Sequence, residues 1–413
     1  MATQIANLVR LGQSDVAWWC TDWRNVDTCR LREDVAVITP ETQDSASLVL
    51  SLPMESEAAG EVQVRHDATL LLVNFNTSRQ TLRCLVSLLQ GLTVPGRVMV
   101  LDNHSRPEDI ERLKAGVRDL PPLSFQLDMY RSASNLGFAA GSNLLIGLAL
   151  SDRACNFVLM LNNDAVALPH LVQRLLDAVV GESSRCGMAG ARMHKLARPS
   201  EIDTLGISIY QSLMPADRRV SSDRLFGPTA GCCVLTRGLL ERLAEASGYW
   251  FDPRYFCYCE DTDLVIRAVL LGFQAAYVDE LSALHEGQAS SNESGNQFIA
   301  YHGLRNSIWM HAKLVPSSVL WRYCALLMLA HLLSAARHVM CGRSQLVWRI
   351  YRDAVRRLPE FVRERRLFRS HVRVSAAEFR RFISPGFYRS EYISQAWSGE
   401  LKKIRRMTAG IFK

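Results

Sequence analysis

The stretch Asn156-Phe157-Val158-Leu159-Met160-Leu161-Asn162-Asn163-Asp164-Ala165 decides the fold. An unbroken apolar run of this length, closed by polar residues, reads as a strand buried on both faces of a sheet. It delivers the Asp164 carboxylate to the carboxyl edge of that sheet, where open α/β sheets bind their ligands. One carboxylate flanked by amides suits a hard divalent cation that shares its coordination sphere with phosphate oxygens. The same letters also close an ordinary turn, because Asn and Asp side chains bond their own backbone. What surrounds the run decides between the two.

Upstream, strands and helices alternate. Residues 69–73 read as a strand. Residues 78–89 follow as a helix, with Leu82, Leu85, Val86 and Leu89 at helical spacing and Ser78 as N-cap. A strand over 97–101, a helix from Pro107 to about 117, a strand over 124–127 and a small-residue helix over 141–150 lead into the quoted run. A helix over 170–180 comes after it. Alternation at this spacing predicts a mostly parallel sheet covered by helices on both faces. Further on, 187–193, 231–235 and 274–278 read as strands, 238–246 and 261–271 as helices, and 196–228 as a polar loop. From 312 the chain reads as helical and basic, punctuated by Pro316 and Pro359. The expected organisation is an N-terminal appendage over 1–66 that can contain β-structure, an α/β unit over 67–311, and a helical extension over 312–413.

The chain has 413 residues, 48% of them hydrophobic, enough for a substantial core. Its charge is uneven: residues 337–413 hold 19 Lys and Arg against 6 Asp and Glu. A basic tail implies an anionic partner, a lipid surface or nucleic acid, or else a solvated helix face. The arginines follow no recognisable nucleic-acid module, so no nucleic-acid partner is expected. The 11 cysteines include no Cys-x-x-Cys pair, and several lie in apolar runs, as expected of reduced, packed thiols. The first thirty residues hold Asp15, Asp22 and Asp27 and read as no secretory leader. The apolar run 323–336, flanked by Arg322 and Arg337, is short of the ~20 residues of a bilayer span and reads as a buried or membrane-surface helix. Trp18, Trp19 and Trp23 can stack on a sugar ring or build a small core.

Several constellations can carry chemistry. The first strand ends in Asn74-Phe75-Asn76, where an aromatic ring can stack on a nucleobase or belong to the core. The second ends in Asp102-Asn103-His104-Ser105, where an acceptor can read the imide N–H of a pyrimidine or simply close a turn. Asn135-Leu136-Gly137-Phe138-Ala139-Ala140-Gly141 allows close backbone approach and opens a helix whose N–H groups suit an anion. The strict dinucleotide and phosphate-loop glycine patterns are absent. The densest cluster is Phe251-Asp252-Pro253-Arg254-Tyr255-Phe256-Cys257-Tyr258-Cys259-Glu260-Asp261-Thr262-Asp263. Carboxylates are at home at a helix start. Acids that follow so aromatic a segment also suit a general base kept partly out of water. His285 can complete a metal site near Asp164, and Arg305-Asn306 can bind phosphate or sit on a helix surface.

In this order, these motifs resemble the family 2 glycosyltransferases of GT-A fold, and among them the rhamnosyltransferase-like branch of bacterial surface glycan synthesis. The resemblance covers about 69–310. It implies a Rossmann-like, mostly parallel sheet and an inverting, metal-dependent hexosyltransferase. It implies a nucleotide pocket of Asn74, Phe75, Asn76, Asp102, Asn103, Asn135, Gly137 and Asn163. Asp164 and His285 would hold Mg²⁺ or Mn²⁺. Asp261 would be the base, with Glu260 or Asp263 in support, and Arg305 a weaker phosphate contact. The implied donor is dTDP-L-rhamnose, with a UDP-sugar as the alternative, and the acceptor is lipid-linked or a glycan. The implied place is the cytoplasmic face of an anionic membrane, with a homo-oligomer as the other use of the tail. A non-catalytic nucleotide- or sugar-binding subunit is the rival reading. One departure stands out: Asn162 replaces the first acid of the family's Asp-x-Asp metal motif.

Overall fold

The computed structural model describes residues 35–38, 62–181, 183–287 and 295–389. Residues 18–23 and 390–413, which carry the tryptophans and the end of the basic tail read above, lie outside the described residues. The strands are β1 (Val35–Ile38), β2 (Gln63–Asn74), β3 (Thr93–Asp102), β4 (Gln126–Ser132), β5 (Phe157–Leu161), β6 (Ala165–Ala167), β7 (Cys186–Lys195), β8 (Arg198–Thr204), β9 (Ile207–Tyr210), β10 (Pro215–Asp217), β11 (Cys232–Thr236), β12 (Gln274–His285) and β13 (Ile383–Ser384). The helices are α1 (Ser78–Leu89), α2 (Pro107–Arg118), α3 (Gly137–Ser151), α4 (Leu171–Gly181), α5 (Arg237–Ser247), α6 (Glu260–Leu270), α7 (Gly295–Leu314), α8 (Ser317–Met340), α9 (Ser344–Phe368) and α10 (Ala376–Arg381).

The main sheet runs β1-β4-β3-β2-β5-β11-β7-β12-β6, with β8 paired to β7. Strands β4, β3, β2 and β5 are mutually parallel, as expected. β11 then enters antiparallel beside β5, and β6 antiparallel beside β12. The chain first builds outward from β2 to β4 and then crosses back through α3 to place β5 on the other side of β2. That reversal is a topological switch point, and the crevice beyond the carboxyl ends of β2 and β5 is the predicted ligand site.

Period-two alternation assigns the two faces. Leu70 and Leu72 of β2, Val98 and Val100 of β3, and Leu159 and Leu161 of β5 join α1, α2 and α4 in one core. Leu71, Met99, Leu101, Val158 and Met160 point to the other face, into a core shared with α3, α5, α6, α7 and α9. Both faces of the sheet are thus covered, which is why its central strands read as continuous apolar runs.

Several expectations need correction. Ser78 is not a cap: it is the first helical residue, and its N–H and hydroxyl donate to the Asp109 carboxylate of α2. The third strand starts later, at Gln126, and its alternating Asp128 and Arg131 hide it from an apolar scan. Residues 196–228 are not one loop but contain β8, β9 and β10; β9 is buried through Ile207 and Ile209, while its polar letters disguise it. His285 does not follow its strand but ends it, because irregularities between Val278 and Leu281 and between Leu281 and Ala283 let β12 bend and continue. Pro359 lies inside α9 and does not end it. Helix α8 is 24 residues long, and by length and composition it could cross a membrane. It is no buried helix either: only Val319 and Ala330 are buried.

Candidate active site

The crevice at the switch point is floored by side chains that hold one another. Asn74 Nδ2 donates to Asp102 Oδ1 at 2.9 Å and to Ser105 Oγ at 3.1 Å, while Asn74 Oδ1 accepts from Thr81 Oγ1 at 2.9 Å. Asn163 Nδ2 donates to Thr77 Oγ1 at 2.7 Å and Thr81 Oγ1 at 2.8 Å. Asn76 accepts from the Arg106 N–H, and its own N–H donates to Ser105 Oγ. Asn103 Nδ2 donates to Asn135 Oδ1 and to the Gly137 carbonyl. The ends of β2, β3 and β5 and the start of α3 are therefore one polar network. Asn74 and Asp102 are fully buried, so neither side chain faces the crevice. Asp102 is further occupied by Arg131 Nε at 3.3 Å. Phe75, half-buried on the loop after β2, remains exposed enough to meet a base. Thr77, Thr81 and Asp109 also belong to this floor, and nothing local in the sequence marks them.

The metal-side pair forms by strand register. Antiparallel pairing of β12 with β6 sets His285 opposite Ala165, the neighbour of Asp164. His285 Nε2 lies 3.1 Å from Asp164 Oδ1, and its Nδ1 lies 2.7 Å from Asp203 Oδ2. Asn162 Nδ2 is 3.0 Å from His285 Nε2. Burial alone would lower the imidazole pKa, but the hydrogen bonds and charges of Asp164 and Asp203 outweigh it and push it up to about 10. Asp203, from the stretch misread as loop, orients His285 as a carboxylate behind a metal-binding imidazole does. Among the described residues no group of three or more His, Cys, Asp and Glu side chains could hold a metal ion together. The donor set fits a hard divalent cation that takes two protein ligands and completes its sphere with phosphate oxygens and water.

The aromatic segment between β11 and α6 is held under strain. Phe256, Tyr258 and Cys259 all have positive φ, at 67°, 65° and 68°. Such geometry persists only where the surroundings over-determine it. Here Asn306 of α7, fully buried, sets its Nδ2 within 3.0, 2.9 and 2.7 Å of the carbonyl oxygens of Tyr255, Cys257 and Tyr258. Arg305 is not available to phosphate: it bonds Asn306, His302 and the Tyr255 carbonyl and lies over the rings of Tyr301 and Trp309. The helix start read as an anion cradle is taken as well, because Ala139 N–H donates to the Phe256 carbonyl at 3.0 Å. Gly137, with φ of 74°, is required by this contact rather than by a ligand, since a Cβ there would lie 2.5 Å from the Phe256 ring. Gly137→Ala is expected to cost about 1–3 kcal/mol from the strained φ and the clash together, read as a lowered urea midpoint at unchanged m-value.

The acids that follow divide into separate roles. Asp261 Oδ1 accepts from the Thr262 N–H at 2.6 Å, and its carboxylate also bonds the backbone of Ala230 at the mouth of β11. Burial raises its pKa to about 6 despite those hydrogen bonds. The neighbouring Gly231 carbonyl accepts from the Asn162 N–H at 2.8 Å, which joins the surroundings of Asp261 to the Asn162–Asp164 loop. Glu260 is buried with Oε2 unpartnered, and burial together with Asp261 pushes it well above the usual carboxylate range. Asp263 is not brought to the crevice. It is fully buried between Arg267 Nε at 2.7 Å, Lys313 Nζ at 2.6 Å and the Tyr255 hydroxyl at 2.9 Å.

No protein-family model matches the chain. In sequence it is 28% identical over 247 residues to the N-acetylglucosaminyl-diphospho-decaprenol L-rhamnosyltransferase of Mycobacterium tuberculosis, covering 53% of this chain and 76% of that protein. Among solved structures it is similar to the mannosyltransferase PcManGT of Pyrobaculum calidifontis in complex with GDP-Man and Mn²⁺. That match has a TM-score of 0.45 and 13% identity, and covers 74% of this chain and 86% of the other. It is also similar to S. aureus TarS 1-349 in complex with UDP-GlcNAc, with a TM-score of 0.48, 12% identity and 77% and 92% coverage. The chain is rhamnosyltransferase-like in sequence. Its main sheet is mixed, with a parallel half built from β4, β3, β2 and β5.

Proposed function

We propose that the protein is an inverting glycosyltransferase. It moves a hexose, L-rhamnose from dTDP-L-rhamnose, to a hydroxyl of a lipid-linked acceptor at the cytoplasmic leaflet of a bacterial membrane. The observation that carries the reading is the Asp164–His285–Asp203 chain at the switch-point crevice, joined through the mouth of β11 to Asp261. The sugar and the lipid-linked acceptor follow the mycobacterial relative, and the dTDP carrier follows the resemblance of the motifs. Asp261 takes the proton of the acceptor hydroxyl as its oxygen attacks the anomeric carbon. The bond to the nucleoside diphosphate breaks in the same displacement, and the diphosphate leaves with the bonding pair. Phe75 stacks on the base, while Asn74, Asp102 and Asn163 hold its loop in shape. Asp164 and His285 would hold Mg²⁺ or Mn²⁺, which supplies positive charge against the leaving diphosphate. With one carboxylate in the set, Asp164 and His285 would leave most of the cation's coordination sphere to the nucleotide's phosphate oxygens.

Thermal melts with dTDP, UDP and GDP, each with and without Mn²⁺, test this, because a ligand of the native state raises the melting temperature. A shift by dTDP or UDP that grows with Mn²⁺ is expected. Asp164→Ala should remove the Mn²⁺-dependent part and keep the rest. A metal-dependent shift that survives in Asp164→Ala would sink the metal assignment, and no shift with any nucleotide would favour a non-catalytic subunit.

A further inference from the structure

Helix α8 turns its apolar side outward. Its exposed positions recur at helical spacing along the full length, and they include Trp321, Met328, Leu332 and Met340, exposed by 79%, 64%, 63% and 74%. A surface helix of a soluble protein shows the reverse pattern, with apolar residues inward. A continuous apolar stripe of this kind marks an interaction surface. The opposite side of α8 is committed to the protein body. Leu320, Tyr323 and Leu327 pack on the core, and His331 Nδ1 lies 3.2 Å from the Tyr351 hydroxyl of α9. Arg365 of α9 ties the start of α8 to the end of α7 by donating to the Ser317 hydroxyl and the Ala312 carbonyl.

Helix α9, joined to α8 by a short turn, continues the theme with added charge. Trp348, Val355 and Val362 are exposed at seven-residue spacing, one line along the helix. Beside them, Arg352, Arg356 and Arg363 are exposed too. Aromatic and aliphatic side chains next to long cationic ones make the pattern of a helix lying in the plane of a lipid interface, apolar atoms in the acyl boundary and guanidinium groups among headgroups. A second protein copy has no comparable need for the arginines, because the outward side of α8 offers no acidic complement.

We infer that the α8–α9 hairpin is a monotopic docking surface for an anionic lipid bilayer, with α8 lying along the interface and not across it. A spanning α8 would have to abandon its contacts with the core and with Tyr351. The inference rests on the proposed function only in supplying a lipid-linked acceptor with a reason to be near. Structurally, the hairpin packs beside the segment that leads into Glu260 and Asp261: Glu364 of α9 accepts from the Tyr249 hydroxyl at 2.6 Å, and Asn306 of α7 clamps the strained aromatic segment. Docking would therefore hold the crevice at a fixed height above the membrane.

The test is co-sedimentation of the full chain with phosphatidylglycerol-containing vesicles and with pure phosphatidylcholine vesicles, alongside sedimentation velocity without lipid. Wild type is expected to bind anionic vesicles at least tenfold more tightly than neutral ones. Met328→Glu/Leu332→Glu should cut that binding at least tenfold while leaving the melting temperature unchanged, since both sites are exposed. No vesicle binding by wild type, or equal binding by the double variant, would overturn the assignment. A wild-type dimer that the same variant dissolves would assign the stripe to a second copy. Nucleotide-induced melting shifts, measured on the same samples, report the transferase reading separately, so either conclusion can fail alone.

Discussion

Asp261→Asn is expected to abolish transfer and to stabilise the protein. The amide keeps the shape and the hydrogen bonds to Thr262 and Ala230 within reach but cannot take a proton. Loss of a positioned general base costs roughly 10²–10⁴ in turnover. Stability moves the other way because burial holds the folded carboxyl at about 6, above its ordinary value of 3.8. Its ionisation is harder in the folded state, so stability falls as pH rises between those two values and stays reduced above them. The full shift would correspond to at most roughly 3 kcal/mol, and partial exposure to the crevice brings the expected gain in Asp261→Asn to about 1–2 kcal/mol at neutral pH. Below about pH 4 the two proteins should melt alike. Wild-type kcat should fall as pH drops through 6, since the base must be ionised. Normal turnover by the variant would remove Asp261 from the base role, and an unchanged melting temperature at neutral pH would mean that its carboxylate is not strained by burial.

How the sequence discloses this site follows from where each residue gets its partners. The strand run ending at Leu161 and the helix over 78–89 are legible because their neighbours in space share their period, and period is what the eye reads in one dimension. The residue types of Asp164 and His285 suggest a pair, but the register of β12 on β6 that brings the two together is not written near either residue. Asp203 has no local signal at all: it sits in β8, a strand too polar to be noticed, and reaches His285 through the pairing of β8 with β7 and of β7 with β12. Polar residues at strand ends need not face a ligand. Asn74, Asp102, Arg305 and Gly137 all have demanding chemistry, and that chemistry is spent inside the protein, on Thr81, Arg131, Asn306 and Phe256. A sequence shows that a residue needs a partner; it does not show whether that partner is a substrate or another part of the chain.

Lys313→Met is expected to be the most destabilising of these substitutions, although Lys313 lies far from the reacting atoms in sequence and touches none of them. Its ammonium is almost fully buried and donates to Asp252 Oδ2 at 2.7 Å, Asp263 Oδ2 at 2.6 Å and the Tyr249 hydroxyl at 3.0 Å, which uses all three of its donors. Arg254 and Arg267 complete the charge balance on the same two carboxylates, and Arg254 also meets Glu364. Burial alone would raise the Asp252 carboxyl, but the charges of Arg254 and Lys313 win and hold it well below the usual range. Removing one partner from such a network leaves a buried charge uncompensated, at a cost of about 3–5 kcal/mol. Methionine fills most of the lysine stem's volume, so the loss measured in urea unfolding reports charge more than cavity. The group at stake is an acid with a depressed pKa, so its stabilisation is present above the unfolded value and lost as pH falls through the folded one. The difference between wild type and variant should accordingly be largest at neutral pH and narrow below about pH 4, where the variant's Asp252 can take a proton in place of the lost cation while the wild-type carboxyl stays ionised. Asp252 and Asp263 bracket the strained segment and the Glu260–Asp261 start of α6, so nucleotide binding at the ends of β2 and β5 should outlast transfer as the network loosens. A variant as stable as wild type at neutral pH would mean that the two arginines alone neutralise the pair and that Lys313 is dispensable to the site's shape.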